Sequence, residues 1–204
     1  MNDYSENRQQ TWDDYIKAGG MPHRIVRHMF VDYSRYFEAK CIVQWFVNNR
    51  IPLKKMTVLD YGCGAGDYGM LMLREGAQLV DFYDFPRSVE FVQYRLKREG
   101  YPPIVIDADK MTPIFSKYNL IIFGEVLEHL DYPLSIIADC IRDDIEYIFT
   151  SSYPYRSDDP EDPYWSNADH SQKAFKQQAA CRALLEANYD YEKFDGELRL
   201  WRRK

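Results

Sequence analysis

The chain has 204 residues, 46% hydrophobic and 28% charged, with a net charge of −6. Those values fit one soluble globular domain with a sizeable core and exclude a disordered chain. The acidic balance disfavours a nucleic-acid partner, and no apolar run approaches the roughly 18 residues of a membrane span.

The start, MNDYSENRQQ, has no apolar signal segment, so a cytoplasmic location is the expectation. Residues 1–20 are polar and end in Gly19-Gly20, which reads as a loose arm or lid. From Pro22 to Arg50 the pattern turns helical. Phe30, Tyr33, Phe37, Cys41 and Trp45 recur at helical spacing, predicting one or two helices with that stripe inward. This divides the chain into an N-terminal arm and helical lid, 1–50, and a main domain, 51–204. Cys41, Cys63, Cys140 and Cys181 form no CxxC pair and read as buried reduced thiols, with Cys63 a small packing residue.

Beyond Lys55, short apolar runs alternate with amphipathic segments. MTVLDYG (56–62), AQLVDFYDF (77–85), PIVID (103–107), NLIIFG (119–124) and EYIFTSS (146–152) read as strands. Between them lie helical stripes: Tyr68, Leu71 and Met72, then Val89, Val92 and Leu96, then Leu134, Ile137, Ala138 and Ile141. Such alternation gives right-handed βαβ units and a parallel sheet covered on both faces. Residues 153–170 break the pattern with prolines, aspartates and aromatics, predicting a long functional loop. Tyr153, Tyr155, Tyr164 and Trp165 in it are candidates for substrate contact. A helix follows with Ala174, Phe175, Cys181, Leu184 and Leu185 inward. YDYEKF (189–194) and ELRLWRR (197–203) then flank Asp195-Gly196, a hairpin signal.

The first strand runs into VLDYGCGAGDYG, Val58 to Gly69. Gly62, Gly64 and Gly66 have GxGxG spacing, and Asp67 stands where a dinucleotide fingerprint needs its third glycine. A carboxylate at that helix N-terminus opposes a pyrophosphate, and the GKS or GKT ending of a P-loop is missing. A ligand with a ribose, a cationic centre and an amino-acid end suits the loop better. Asp84, at the end of the second strand, is placed to accept from a ribose diol. Asp107, in IDADKM, is placed to accept from the exocyclic amine of adenine, with the Ala108 backbone beside it.

The glycine loop, Asp84, the DADKM turn and FGEVLEHLDYP together resemble the class I S-adenosylmethionine-dependent methyltransferases, over about residues 56–203. The resemblance implies a Rossmann-like, doubly wound α/β fold. Its seven-stranded sheet would have order 3-2-1-4-5-7-6, strand 7 antiparallel, and helices on both faces. It implies S-adenosylmethionine as cofactor. Asp60, Gly62, Gly64 and Gly66 would hold its methionine portion, Asp84 its ribose, Asp107 and Ala108 its adenine, with Glu125 beside it. The expected activity is methyl transfer to O or N of a small-molecule acceptor. A macromolecular acceptor, RNA or protein, and a non-catalytic binding module are the alternatives.

Glu125, Glu128 and His129 share one face if EVLEHL is helical. His129 is the candidate general base, since a neutral imidazole near pH 7 suits proton removal. With His170 the three resemble the cage of some metal-dependent methyltransferases, but the string also occurs where no metal binds, so no metal ligand is assigned. His23 and His28 read as surface or packing residues.

Overall fold

The computed structural model describes residues 2–22, 27, 30, 34–102, 104–151, 153–155, 170–194 and 198–204, with side chains from residue 8 onward. The chain divides into two compact units, Met1–Pro113 and Ile114–Lys204. Seven strands form one sheet in the order β3-β2-β1-β4-β5-β7-β6, with helices on both sides, as the resemblance implies.

In the first unit, β1 (Thr57–Tyr61), β2 (Leu79–Asp84) and β3 (Val105–Asp107) run parallel. Asp84 pairs in register with Asp107, so both acids stand at the same carboxyl edge. Val58, Leu59, Val80 and Phe82 are fully buried, as β-branched and aromatic residues on a covered sheet should be. Helix α1 is Asn2–Lys17, α2 is Ser34–Asn48, α3 is Asp67–Arg74 and α4 is Pro86–Arg98. Pro86 begins α4, where its missing N–H costs nothing.

Two expectations for this unit are corrected. Residues 2–17 are not a loose arm: they form α1, a helix that buries Arg8, Trp12 and Tyr15. Trp12, Tyr15 and Phe30 pack around Phe91 of α4, with ring centroids 4.9–5.2 Å from it. Few apolar residues mark this face, so two large aromatics carry what several aliphatic residues usually would. The inward stripe of α2 is Ala39, Ile42, Trp45 and Phe46, while Phe37 is 48% exposed and Cys41 is half-buried. Tyr33, His23 and His28 lie outside the described residues.

In the second unit, β4 (Leu120–Phe123) and β5 (Tyr147–Thr150) are parallel and buried throughout. β7 (Arg199–Arg203) is antiparallel to β5 and pairs with β6 (Tyr189–Lys193). The expected Asp195-Gly196 turn falls outside the described residues. Helix α5 is Pro133–Arg142; it buries Pro133, Ile137 and Cys140 and exposes Ala138. Helix α6 is Gln172–Asn188, with Ala174, Gln178, Cys181 and Leu185 buried. Its N-cap is Ser171, whose hydroxyl accepts from the Lys173 and Ala174 amides. No disulfide joins the four cysteines; Cys63, Cys140 and Cys181 are buried. No helix among the described residues is long and apolar enough to cross a membrane.

Candidate functional site

In the first unit the site grows from the turn that follows β1. Gly62, Gly64 and Gly66 have φ of 68°, 54° and 78°, a region where side chains are strained. Gly66 is the N-cap of α3, and a Cβ there would stand 2.9 Å from Val92 Cγ2. The amides of Gly62 and Cys63 donate to the Tyr83 carbonyl at 2.8 and 3.1 Å, which ties the loop to the end of β2.

Two carboxylates brace this loop from below. Asp60 is 1% exposed and accepts from the Gly69 amide at 2.9 Å. Burial pushes its carboxyl up to about 8 against the pull of that amide. Asp84 accepts from the Gly64 amide at 2.7 Å through one oxygen and from the Phe85 amide at 2.6 Å through the other. Burial raises its pKa, outweighing the Gly64, Phe85 and Ser88 hydrogen bonds that lower it. Each carboxylate oxygen has a second lone pair, so both acids can accept further donors. Phe85, next to Asp84, is 67% exposed. Sequence reading passed it over, although a large aromatic at that exposed edge is itself a signal.

Asp107 ends β3. Its oxygens take the Asp109 amide at 3.0 Å and Lys110 Nζ at 2.7 Å, and the lysine contact above all holds its pKa below the usual value. The Ala108 amide donates to the Asp84 carbonyl at 2.9 Å, so its N–H is already engaged. A cavity of about 390 Å³ opens beside Asp107, lined by apolar Val89, Val105 and Met111 and by polar Glu90, Gln93 and Lys110.

Asp67 has a different surrounding from the one its position suggests. It is 3% exposed and pairs with Arg8 at 2.5 Å and Arg95 at 2.9 Å. Arg95 also donates to the Ala65 carbonyl inside the glycine loop. The carboxylate is thus neutralised from α1 and α4. Sequence reading missed both arginines because they lie 59 and 28 positions away from Asp67. A signal existed in Arg95, three positions after Val92 on the inward stripe of α4.

In the second unit, Glu125 follows β4 with φ of 56° and its amide donates to Ser151 Oγ at 2.6 Å. Such a backbone for a non-glycine residue costs of order 1–3 kcal/mol and concentrates at functional sites. It also ends any helical reading of EVLEHL. The Leu127–His129 segment is a single 3-10 turn, so Glu125 does not share a helix face with Glu128 and His129, which corrects the expectation. The structure instead gathers Glu128, His129 and His170, whose ligand atoms lie within 4.8 Å of one another. Ser171 secures His170 there: its amide donates to the Glu128 carbonyl at 2.8 Å and its hydroxyl to Asp131 at 3.0 Å. The two imidazole rings meet edge to face, 4.9 Å apart. Glu128 is buried and His129 exposed. This mixed nitrogen and oxygen set could hold a divalent cation without selecting one. Of the loop 153–170, Tyr153 is buried and donates to the Ala174 carbonyl at 3.1 Å; Tyr164 and Trp165 lie outside the described residues.

Sheet order, glycine turn and edge acids define one class, and comparison with known proteins agrees. A family model described as "Methyltransferase domain" matches residues 32–193. The chain belongs to this family, the class I S-adenosylmethionine-dependent methyltransferases. Among solved structures, magnesium protoporphyrin IX methyltransferase from Synechocystis PCC 6803 with bound SAH aligns with a TM-score of 0.61 at 17% identity, covering 97% of this chain and 96% of that one. Among curated relatives, the ubiquinone biosynthesis O-methyltransferase of Histophilus somni is 32% identical over 105 residues, 48% of this chain and 44% of that protein. The ribosomal protein L11 methyltransferase of Dechloromonas aromatica is 35% identical over 104 residues, 50% of this chain and 32% of that protein. The matched segments thus span less than half the length of these curated relatives.

Proposed function

We propose that the chain binds S-adenosylmethionine and transfers its methyl group to O or N of a small-molecule acceptor. The observation that carries this reading is the convergence of Asp60, Asp84 and three left-handed glycines at the carboxyl ends of β1 and β2. Ligands of open α/β sheets sit at that edge. The donor chemistry fits. Asp60 and the bare backbone of Gly62, Gly64 and Gly66 suit an amino-acid end carrying an ammonium. Asp84 suits a ribose diol. Asp107, the cavity beside it, whose wall mixes Val89, Val105 and Met111 with Glu90, Gln93 and Lys110, and the exposed Phe85 ring suit an adenine. With the Ala108 amide engaged, Ala108 contributes contact instead of a donated hydrogen bond. Glu125 is assigned to the cofactor by the family pattern, and its left-handed backbone supports that assignment.

When bound, the cofactor supplies a methyl group on a positively charged sulfur, already a good leaving group. What remains for the protein is alignment of the acceptor and exclusion of water. His129 would serve as the base, taking up the proton that the acceptor's oxygen or nitrogen gives up when it is methylated. The names of the ubiquinone and protoporphyrin enzymes support a small acceptor. The L11 relative supports a second reading, in which a protein receives the methyl group.

Calorimetric titration with S-adenosylmethionine and S-adenosylhomocysteine tests the cofactor. Saturable heat is expected from both, and silence from both at millimolar concentration would sink the reading. Incubation of labelled cofactor with a cell extract, followed by size separation, tests the acceptor. Label in the small-molecule fraction supports the first reading, and label on polypeptide the second.

A further inference from the structure

Asp60 and Asp84 hold the glycine loop from the strand ends, and a second set of contacts holds it from the helices. One guanidinium nitrogen of Arg95, on α4, donates both to the Ala65 carbonyl and, at 2.9 Å, to Asp67 Oδ1. Between those two residues lies Gly66, the left-handed N-cap at which the loop turns into α3. Arg8, on α1, reaches the other oxygen of the same carboxylate, Oδ2, at 2.5 Å, and its Nε donates to the Phe30 carbonyl. The side chains of Arg8 and Arg95 are 4% exposed and that of Asp67 is 2% exposed. An apolar contact follows the same route: Ala65 is buried in one cluster with Trp12 and Tyr15 of α1, Phe30, and Phe91 of α4. Tyr15 also donates to Glu90 of α4 at 2.9 Å, which seats α1 against that helix. The exit of the loop is thus tied to α1 by charge and by packing.

We infer that α1 positions the cofactor loop, with Arg8 and Arg95 as positioning residues that act through Asp67 and Ala65. The inference rests on the reading of this loop as the S-adenosylmethionine site. Gly62, Gly64 and Gly66 give the short stretch wide conformational freedom. A ligand that must first order its own loop binds more weakly, in proportion to the fraction of time the loop is competent. Charge-assisted hydrogen bonds are short and directional, so a buried carboxylate gripped on both oxygens fixes the first residue of α3 and, with it, the preceding turn. Asp60 grips the same helix from the other side, at the Gly69 amide. The turn is therefore held between β1 and α1. Loss of the α1 contact leaves the strand side in place and frees the helix side.

The test uses the full chain and calorimetric titration with S-adenosylhomocysteine, well below each variant's thermal midpoint. Arg8→Met keeps the aliphatic body and removes the charge. It is expected to weaken binding at least about tenfold, as when the competent fraction of the loop falls from near one to about a tenth. Arg8→Lys, which keeps the charge, is expected to recover most of that loss. Ile137→Val, a buried change in the second unit, controls for lost stability alone and is expected to bind as the wild type does. Binding by Arg8→Met within twofold of wild type, or an equal loss in Ile137→Val, would overturn the inference. Silence from the wild type would instead remove the cofactor reading. Hydrogen exchange without ligand then still decides the positioning role: amides of residues 62–69 are expected to exchange faster in Arg8→Met than in wild type or Ile137→Val. Equal exchange in all three would overturn it.

Discussion

At the scale of single residues, Asp60 and Asp84 carry the sharpest expectations. Asp84 receives the loop amide at Gly64, so its removal both deletes an acceptor and loosens the turn. Asp84→Ala is expected to weaken S-adenosylhomocysteine binding at least tenfold by calorimetry, matching the about 1.5–3 kcal/mol of a hydrogen bond to a charged group. For Asp60, the carboxyl titrates near 8 in the folded chain and near about 3.9 when unfolded. The folded state therefore binds the extra proton between those values. The stability contributed by this group is full below the lower value and is lost as pH rises through the higher one. Asp60→Asn, which keeps an acceptor for the Gly69 amide, should flatten the decline in thermal midpoint between pH 6 and pH 9. A wild-type slope unchanged in the variant would refute the assignment. His129→Gln tests the base: kcat should fall about 10²–10⁴-fold while the affinity for S-adenosylmethionine holds. The placing of Asp60, Asp84 and the glycines was readable from sequence because it follows from where the first two strands end. The grouping of Glu128 and His129 with His170 was readable only in outline, since its geometry depends on a 3-10 turn and on Ser171, 43 positions beyond Glu128.

Among the elements, α3 shows how tightly the turn is built. A Cβ on Gly69 would stand 2.3 Å from Phe82 Cε1, so Gly69→Ala forces the helix away from β2. A loss of about 1–3 kcal/mol is expected, read as a lower urea midpoint with an unchanged m-value. Asp67 at the start of the same helix is the counter-ion of two buried guanidinium groups. Asp67→Asn should cost about 3–5 kcal/mol, the penalty for stripping buried charge of its partner. Strand and helix order followed from period and length, and every predicted strand is present. Helix faces were less readable. The α2 stripe was rotated because Phe37 and Cys41 sit at helical spacing with Trp45 but on its half-exposed flank. Helix α1 was missed because hydrophobic pattern counts apolar residues, and this helix is seated by two rings and a buried arginine.

For the whole molecule, the proposed place of Asp60 at the methionine end predicts that cofactor binding is coupled to proton release. An ammonium close to this carboxyl favours its ionised form. Binding at pH 7 should therefore release a proton, seen as apparent binding heats that differ between buffers of unlike ionisation enthalpy. Identical heats in all buffers would remove Asp60 from the methionine end.

The uneven burial of the four thiols makes the protein a convenient optical probe of itself. Cys41 on α2 is half-buried, whereas burial raises the pKa of Cys63 and Cys140 and holds that of Cys181 at about 11. The reactive thiolate is thus suppressed at three positions. A maleimide dye should attach once, on the helix preceding the sheet, without any cysteine being mutated. Additional labels counted by mass spectrometry would then report each opening of the core.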